Sequence, residues 1–383
     1  MPATPVLIYV QHLLGIGHLK RAAAIARALA ARELEVVLVS GGMAEPIALD
    51  GVRLVQLEPV RAADARFSHL VDASGQAIDD EFKTRRRAHL LEVFHTLRPR
   101  VLITEMFPFG RRQLRFELMP LLEATRLVVP RPIIISSVRD ILVEKGRADR
   151  THEMAQLARD YYDRVLVHGD ERLVPFGASF PLANEIADLI VHTGYVASGS
   201  DAIAQPGVGG GEIIISAGGG AVGGRLIEAA LGAHDINNEQ IRAMPWRVLV
   251  GAGIDEAVMA AWQARASVGM TVERVRADFP SLLGRAALSV SQAGYNTVMD
   301  ILSAEVRSVL VPFAAGQETE QSVRAMALAR EGRAIVVPEI ELSAERLAEA
   351  ITRALGRPRP GPCSYRLDGA PETARLIGHM IRP

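Results

Sequence analysis

A histidine at the edge of a glycine turn is the first residue of this chain placed to do chemistry. The stretch QHLLGIGHLKRAAAIARAL (11–29) follows the apolar run VLIYV (6–10). A strand therefore leads into a turn carrying Gly15 and Gly17, and a helix begins at His18. Near neutral pH an imidazole can take a proton from a hydroxyl. His12, close in sequence, competes for that role. Glu105 and Asp140 end strand-like runs and are placed to orient a base or a substrate. The segment TEMFPFGRRQLRFEL (104–118) sets Phe107 and Phe109 beside Arg111 and Arg112. That mixture suits an acceptor with an apolar part and an anionic part such as a phosphate.

The second half carries three strand–loop–helix segments that suit an anion. In SAGGGAVGGRLIEA (216–229), Gly218, Gly219 and Gly220 with Gly223 form a turn whose N–H groups and following helix dipole favour a diphosphate. In SQAGYNTVMD (291–300), Ser291 ends a strand, Gly294 opens a loop, and Asn296 and Thr297 start a helix with Asp300 one turn in, where it can hold ribose hydroxyls. In PFAAGQETEQ (312–321), Glu318, Glu320 and Gln321 can bond sugar hydroxyls, while Thr319 is a capping residue.

Several classes weaken or fall away. Gly218, Gly220 and Gly223 satisfy GxGxxG, but the acid that a dinucleotide fold wants about 20 residues on is missing, since Asp255 lies too far along. Lysine occurs only at Lys20, Lys83 and Lys145, which leaves no GxxxxGK[ST] loop. There is no Asp-x-Asp to bridge a diphosphate through a metal and no GxSxG elbow, and His152–Glu153 lacks the second histidine of a zincin because position 156 is Gln. A formal net charge of -1 gives no global case for nucleic acid. The single cysteine, Cys363, rules out a disulfide within the chain and suits a reducing, cytoplasmic setting. No run of about 18 apolar residues predicts a membrane span. The basic run KTRRR (83–87) reads as a solvated helix face that can also draw the protein to anionic lipid, a peripheral membrane contact.

The elements that must position these residues are short apolar runs alternating with helical stretches: 6–10, 35–40, 53–58, 100–105, 132–137 and 164–169, then 212–217, 246–253, 287–292, 307–312 and 333–338. Such runs mean parallel sheets covered on both faces. Between the two sets lies the glycine-rich stretch 197–211. The expected organisation is α/β: a doubly wound domain over 1–196, a linker over 197–211, a second doubly wound domain over 212–370, and a terminal helix over 371–383 that packs on either domain. In such folds ligands sit outside the carboxyl ends of the strands, and the crevice between the domains is the default site.

Together the second-half segments resemble the sugar-nucleotide half of a GT-B glycosyltransferase of family 28. That family has a glycine-rich loop like AGGGAVGG, a segment like SQAGYNTVMD with a glutamate at the ribose where this chain has Asp300, and a Gln–Gln pair at the sugar where this chain has Glu320–Gln321. Its first strand runs into a glycine turn closed by histidine, as GIGHLKRAAAIARAL does here. The resemblance implies two Rossmann-like domains facing each other across a cleft. It also implies inverting, metal-independent transfer from a UDP-linked sugar, an N-acetylhexosamine among the options, to a lipid- or phosphate-bearing acceptor, with no cofactor. His18 would then be the base. Other readings stay open. The segment G-x-G-H-x-x-R (15–21) is also similar to enzymes that hydrolyse nucleotide-linked amino sugars, and sugar-nucleotide epimerases share the fold. A dinucleotide-dependent oxidoreductase and a non-catalytic sugar-nucleotide sensor complete the set.

Overall fold

The computed structural model describes residues 4–13, 15–63, 69–142, 148–197, 204–218, 223–236, 238–313 and 319–382. The chain divides into two compact units, Met1–Val196 with Tyr365–Pro383, and Ala197–Ser364.

The first unit contains β1 (Pro5–Val10), α1 (Gly17–Ala30), β2 (Glu35–Ser40), β3 (Val52–Gln56), the short pair β4 (Arg61–Ala62) and β5 (Leu70–Val71), α2 (Asp80–Leu97), β6 (Val101–Glu105), α3 (Arg115–Arg126), β7 (Ile133–Arg139), α4 (Ala148–Tyr161), β8 (Arg164–His168) and β9 (Ile190–His192). Seven strands form one parallel sheet in the order β3-β2-β1-β6-β7-β8-β9. Side chains alternate across a strand, and here both faces are apolar. Leu7, Val37, Leu102 and Ile134 bury one face, where Leu90, Leu118 and Leu122 of α2 and α3 cover them. Val6, Ile8, Leu38 and Ile103 bury the other, under Ala22, Ala26 and Leu29 of α1.

The second unit contains β10 (Ile213–Ser216), α5 (Gly224–Asp235), α6 (Glu239–Arg242), β11 (Trp246–Val250), α7 (Glu256–Arg265), β12 (Met270–Arg274), α8 (Phe279–Arg285), β13 (Leu288–Ser291), α9 (Tyr295–Ala304), β14 (Ser308–Leu310), α10 (Glu320–Arg330), β15 (Ile335–Val336) and α11 (Ala344–Leu355). Its parallel sheet runs β12-β11-β10-β13-β14-β15. Residues 204–211, whose glycines suggest a linker, form turns tied to this unit. Arg285 donates to the carbonyls of Ala204 at 3.1 Å and Gln205 at 2.9 Å, and the Ala204 N–H donates to Ser281 Oγ at 3.0 Å.

From Tyr365 the chain rejoins the first unit. The Tyr195 N–H donates to Arg366 O at 2.7 Å, the Gly369 N–H donates to Tyr195 O at 2.9 Å, and Val196 bridges Asp368. A Cβ on Gly369 would lie 2.3 Å from Gly194 O, so only glycine permits this approach. The final helix, α12 (Gly369–Met380), buries Ala374 and Ile377 in the cluster that holds Ala22 and Ala26 of α1.

The run Lys83–Arg87 lies on α2, and its structure corrects the reading of a wholly solvated face. Lys83 and Arg85 do pair at the surface, with Asp80 and with Glu58 and Glu81. Arg86 is fully buried. Its Nε donates to Glu117 Oε2 at 2.7 Å, and its terminal nitrogens donate to Gln11 Oε1 at 2.7 Å and to the carbonyls of Gly41 and Glu58. Tyr9 donates to the other oxygen of Glu117. This network ties β1 to the loops after β2 and β3. Arg86→Met is expected to cost about 3–5 kcal/mol, because it strands the Glu117 charge in the core. Chemical denaturation of the two proteins checks this, with Arg87→Met on the same helix as the control that stays within about 0.5 kcal/mol.

Candidate functional site

In each unit the sheet order reverses beside its first strand, between β1 and β6 in the first and between β10 and β13 in the second. Ligands of open α/β sheets bind outside the strand ends at that point.

In the first unit His18 and Glu105 meet there. His18 is the second residue of α1, which follows β1, and Glu105 is the last residue of β6. His18 Nδ1 lies 2.7 Å from Glu105 Oε1. A carboxylate oxygen only accepts, so Nδ1 carries the proton and Nε2 keeps its lone pair. Glu105 is 1% exposed and His18 18% exposed, so the ring edge reaches solvent while its anchor does not. Burial lowers the pKa of His18 to about 4, with Glu105 opposing the shift and Arg111 and Arg21 adding to it. Burial alone would raise that of Glu105, but the charges of His18 and Arg21 outweigh it and hold the carboxyl well below its usual range. At pH 7 the pair is a neutral imidazole oriented by a carboxylate, the arrangement of an oriented general base.

Gly17 opens α1, and Gly15 precedes it in open space, with nothing within 4 Å of where a Cβ would stand. Arg111 belongs to the same cluster. It takes a left-handed φ of 58°, donates from Nε to Gln11 O at 2.8 Å, and lies close enough to His18 and Glu105 to shift both. Arg112 does not join it; it is exposed and donates to Glu153 at 2.6 Å. Phe107 and Phe109 are also corrected, from an acceptor grip to core. Phe109 packs edge-on against Phe176 and Phe180, at 5.8 and 5.1 Å between ring centroids. His12 is buried against Gly42, where a Cβ would lie 2.4 Å from the ring. Asp140 is buried beyond β7, packed against Gly169.

Arg21 is a member of the site that the sequence reading names only as the last residue of G-x-G-H-x-x-R. It donates to Glu105 Oε1 and sits with Nη2 3.3 Å from His18 Nδ1. The available signal is its i+3 spacing from His18 on one helix face.

In the second unit the loops after β10, β13 and β14 gather at three neighbouring strand ends. Gly218 has φ 78°, and its N–H donates to Ser216 Oγ at 3.3 Å. Gly219 and Gly220 lie outside the described residues, as does Glu318. Gly223 caps α5 with φ 109°. Ser291 pairs with Ser216 across the sheet, Gly294 caps α9, and Asn296 and Thr297 fill its first turn. Ser291 Oγ and Asn296 Oδ1 are buried with no hydrogen-bond partner among the described residues, an arrangement that costs free energy unless a ligand or water completes it. Asp300 follows on α9, half-buried.

Glu320 and Gln321 brace these loops. Glu320 accepts from Arg324 Nη2 at 2.7 Å, and Arg324 Nη1 donates to Ala293 O at 2.9 Å. Gln321 Oε1 accepts from the N–H groups of Ala293 at 2.9 Å and Phe313 at 3.0 Å. Thr319 is the N-cap residue of α10, without a side-chain capping bond.

Two doubly wound units of this order make the chain a GT-B fold. It aligns with the crystal structure of the glycotransferase of kitacinnamycin at a TM-score of 0.64 and 14% identity, over 100% of both chains. With the crystal structure of MurG from Acinetobacter baumannii the TM-score is 0.55 at 17% identity, over 100% of this chain and 96% of that one. More particularly, residues 214–359 match the glycosyltransferase family 28 C-terminal domain. The UDP-N-acetylglucosamine--N-acetylmuramyl-(pentapeptide) pyrophosphoryl-undecaprenol N-acetylglucosamine transferase of Rhizobium johnstonii is 31% identical over 121 residues, 31% of this chain and 32% of that protein. The matches span about a third of the length of such curated relatives.

Proposed function

We propose that this protein transfers a sugar from a nucleoside diphosphate, UDP first among them, to an acceptor hydroxyl, with inversion and without a metal. The observation that carries the reading is the Nδ1-anchored His18 at the switch point of the first unit. In a single displacement, Nε2 takes the acceptor proton as the hydroxyl attacks the anomeric carbon. Glu105 stabilises the imidazolium that forms. The second unit holds the donor. The N-termini of α5 and α9 favour the diphosphate, whose charge grows as it leaves. Ser291, Asn296 and Thr297 take the nucleoside, Asp300 the ribose, and Gly218 to Gly220 the phosphates, with Glu320 and Gln321 fixing the loops beside the sugar.

Arg111 suits an acceptor bearing phosphate, in line with the pyrophosphoryl acceptor named for the Rhizobium relative. No helix among the described residues is long and apolar enough to cross a membrane. In this reading a lipid-linked acceptor is met by peripheral contact from the cytoplasmic side.

Hydrolysis of the same donor is the second reading, favoured by Arg21, the last residue of G-x-G-H-x-x-R, standing against the Glu105–His18 pair. Release of free sugar without an acceptor separates the two.

Donor binding is tested by thermal shift. UDP at about 100 times its Kd is expected to add about 2.7 kcal/mol, with or without EDTA, while NAD and FAD do nothing. Asn296→Ala is expected to shrink the UDP shift. A response to NAD or FAD alone would overturn the reading of the second unit.

A further inference from the structure

We propose that Arg21 is a positioning residue for this base: it pins the carboxylate that orients His18, and it sets a buried positive charge beside the ring. This rests on the reading of His18 as the base.

Two donors meet at one oxygen. Glu105 Oε1 accepts from Arg21 Nη2 and, at 2.7 Å, from His18 Nδ1, while Arg21 Nη2 and His18 Nδ1 stand 3.3 Å apart. Arg21 is 2% exposed, so this contact is screened little by water. With Oε1 fixed by a guanidinium, the carboxylate cannot turn away, and the Nδ1 proton has one place to point. The same charge acts on the ring. Burial opposes the imidazolium most, Glu105 favours it, and Arg111 and then Arg21 add to the opposition. A carboxylate–histidine pair without the arginine would charge at a higher pH and lose its free lone pair as a base.

The other charges facing the trio come from every neighbouring element. Arg111, from the loop after β6, acts on His18 and Glu105. Arg139, ending β7, acts on Arg111, as does Tyr9 of β1. His168, ending β8, faces Arg21 and Glu105, is buried, and bonds Ser137 Oγ and Thr193 Oγ1, each at 2.8 Å. His12, before α1, faces Arg111 and Glu105. None of these touches Oε1 as Arg21 does among the contacts described.

The test is imidazole NMR on the full chain, reading the titration midpoint and the ring tautomer of His18, assigned by loss of its signals in His18→Gln. The wild-type ring is expected as the Nδ1–H tautomer, neutral to below pH 5. In Arg21→Met the midpoint should rise, although burial and Arg111 keep it below the usual histidine value, whereas in Glu105→Gln it should fall. Arg21→Lys keeps the charge but not the planar guanidinium that holds Oε1, so its midpoint should stay while a second tautomer grows in. An unchanged midpoint in folded Arg21→Met overturns the proposal. Should that variant not fold, an unchanged tautomer in Arg21→Lys overturns it. The readout needs no turnover, so its failure is separate from any failure of His18 as the base.

Discussion

His18→Ala is expected to lower kcat of sugar transfer by about 10²–10⁴-fold, the usual contribution of a positioned general base, and to leave the UDP thermal shift intact. The separation follows from where the parts lie. The proposed base and its carboxylate, His18 and Glu105, are in the first unit, and the residues proposed to bind the nucleotide are in the second. The loss should therefore fall on kcat at saturating donor, with little change in KM for the nucleotide. Near-normal turnover by His18→Ala would remove the base from the mechanism.

The pH dependence has a definite sign. His18 is held below its usual pKa, at about 4, so the acid limb of kcat/KM should lie well below pH 6.5. Stability follows the same direction. Between about pH 6.5 and pH 4 the unfolded chain binds a proton at His18 that the folded chain refuses, so its contribution is present above pH 6.5 and lost as pH falls through that window. Glu105 is also depressed, and its contribution is lost on further acidification, below the usual carboxylate pKa. Both groups therefore predict a protein that weakens toward acid.

Much of this site can be read from the order of residues, because strand ends and glycine turns are local signals. VLIYV followed by a glycine turn places His18 at a sheet's carboxyl edge, and VLITE places Glu105 at another, with no knowledge of the fold. The weaker readings concern partners distant in sequence. Arg86 looks solvated within KTRRR because Glu117, which buries it, lies 31 residues away on another helix. Phe109, with Phe107, reads as an acceptor grip beside two arginines because Phe176 and Phe180, which pack on Phe109, arrive from a later segment. Strands β9 and β12 escape the pattern for a different reason: IVH is only three residues long, and MTVER carries polar residues at alternating positions. Gln321 shows a further limit. Its place beside Glu320 is evident in the sequence, but the carbonyl oxygen that accepts two loop N–H groups is visible only once β13 and β14 lie side by side.

Glu105→Gln is expected to be nearly as damaging as loss of His18, at about 10³–10⁴-fold in kcat, although it changes few atoms. The carboxylate can only accept at Nδ1, which forces the proton onto that nitrogen and bares Nε2. An amide can accept or donate. With its NH2 group turned toward Nδ1, the ring takes the Nε2–H tautomer, whose outward nitrogen has no lone pair for the acceptor proton. The imidazolium formed in the reaction also loses its counter-charge, while Arg21 remains beside it. Both effects act on the proton-transfer step, so donor KM should hold while kcat falls. Glu105→Asp keeps the charge on a shorter arm and should recover part of the rate. Single-turnover kinetics of the three proteins decide the matter. A Glu105→Gln enzyme with wild-type kcat would show that His18 finds its tautomer without the carboxylate, and the assignment of Glu105 as the orienting group would fall.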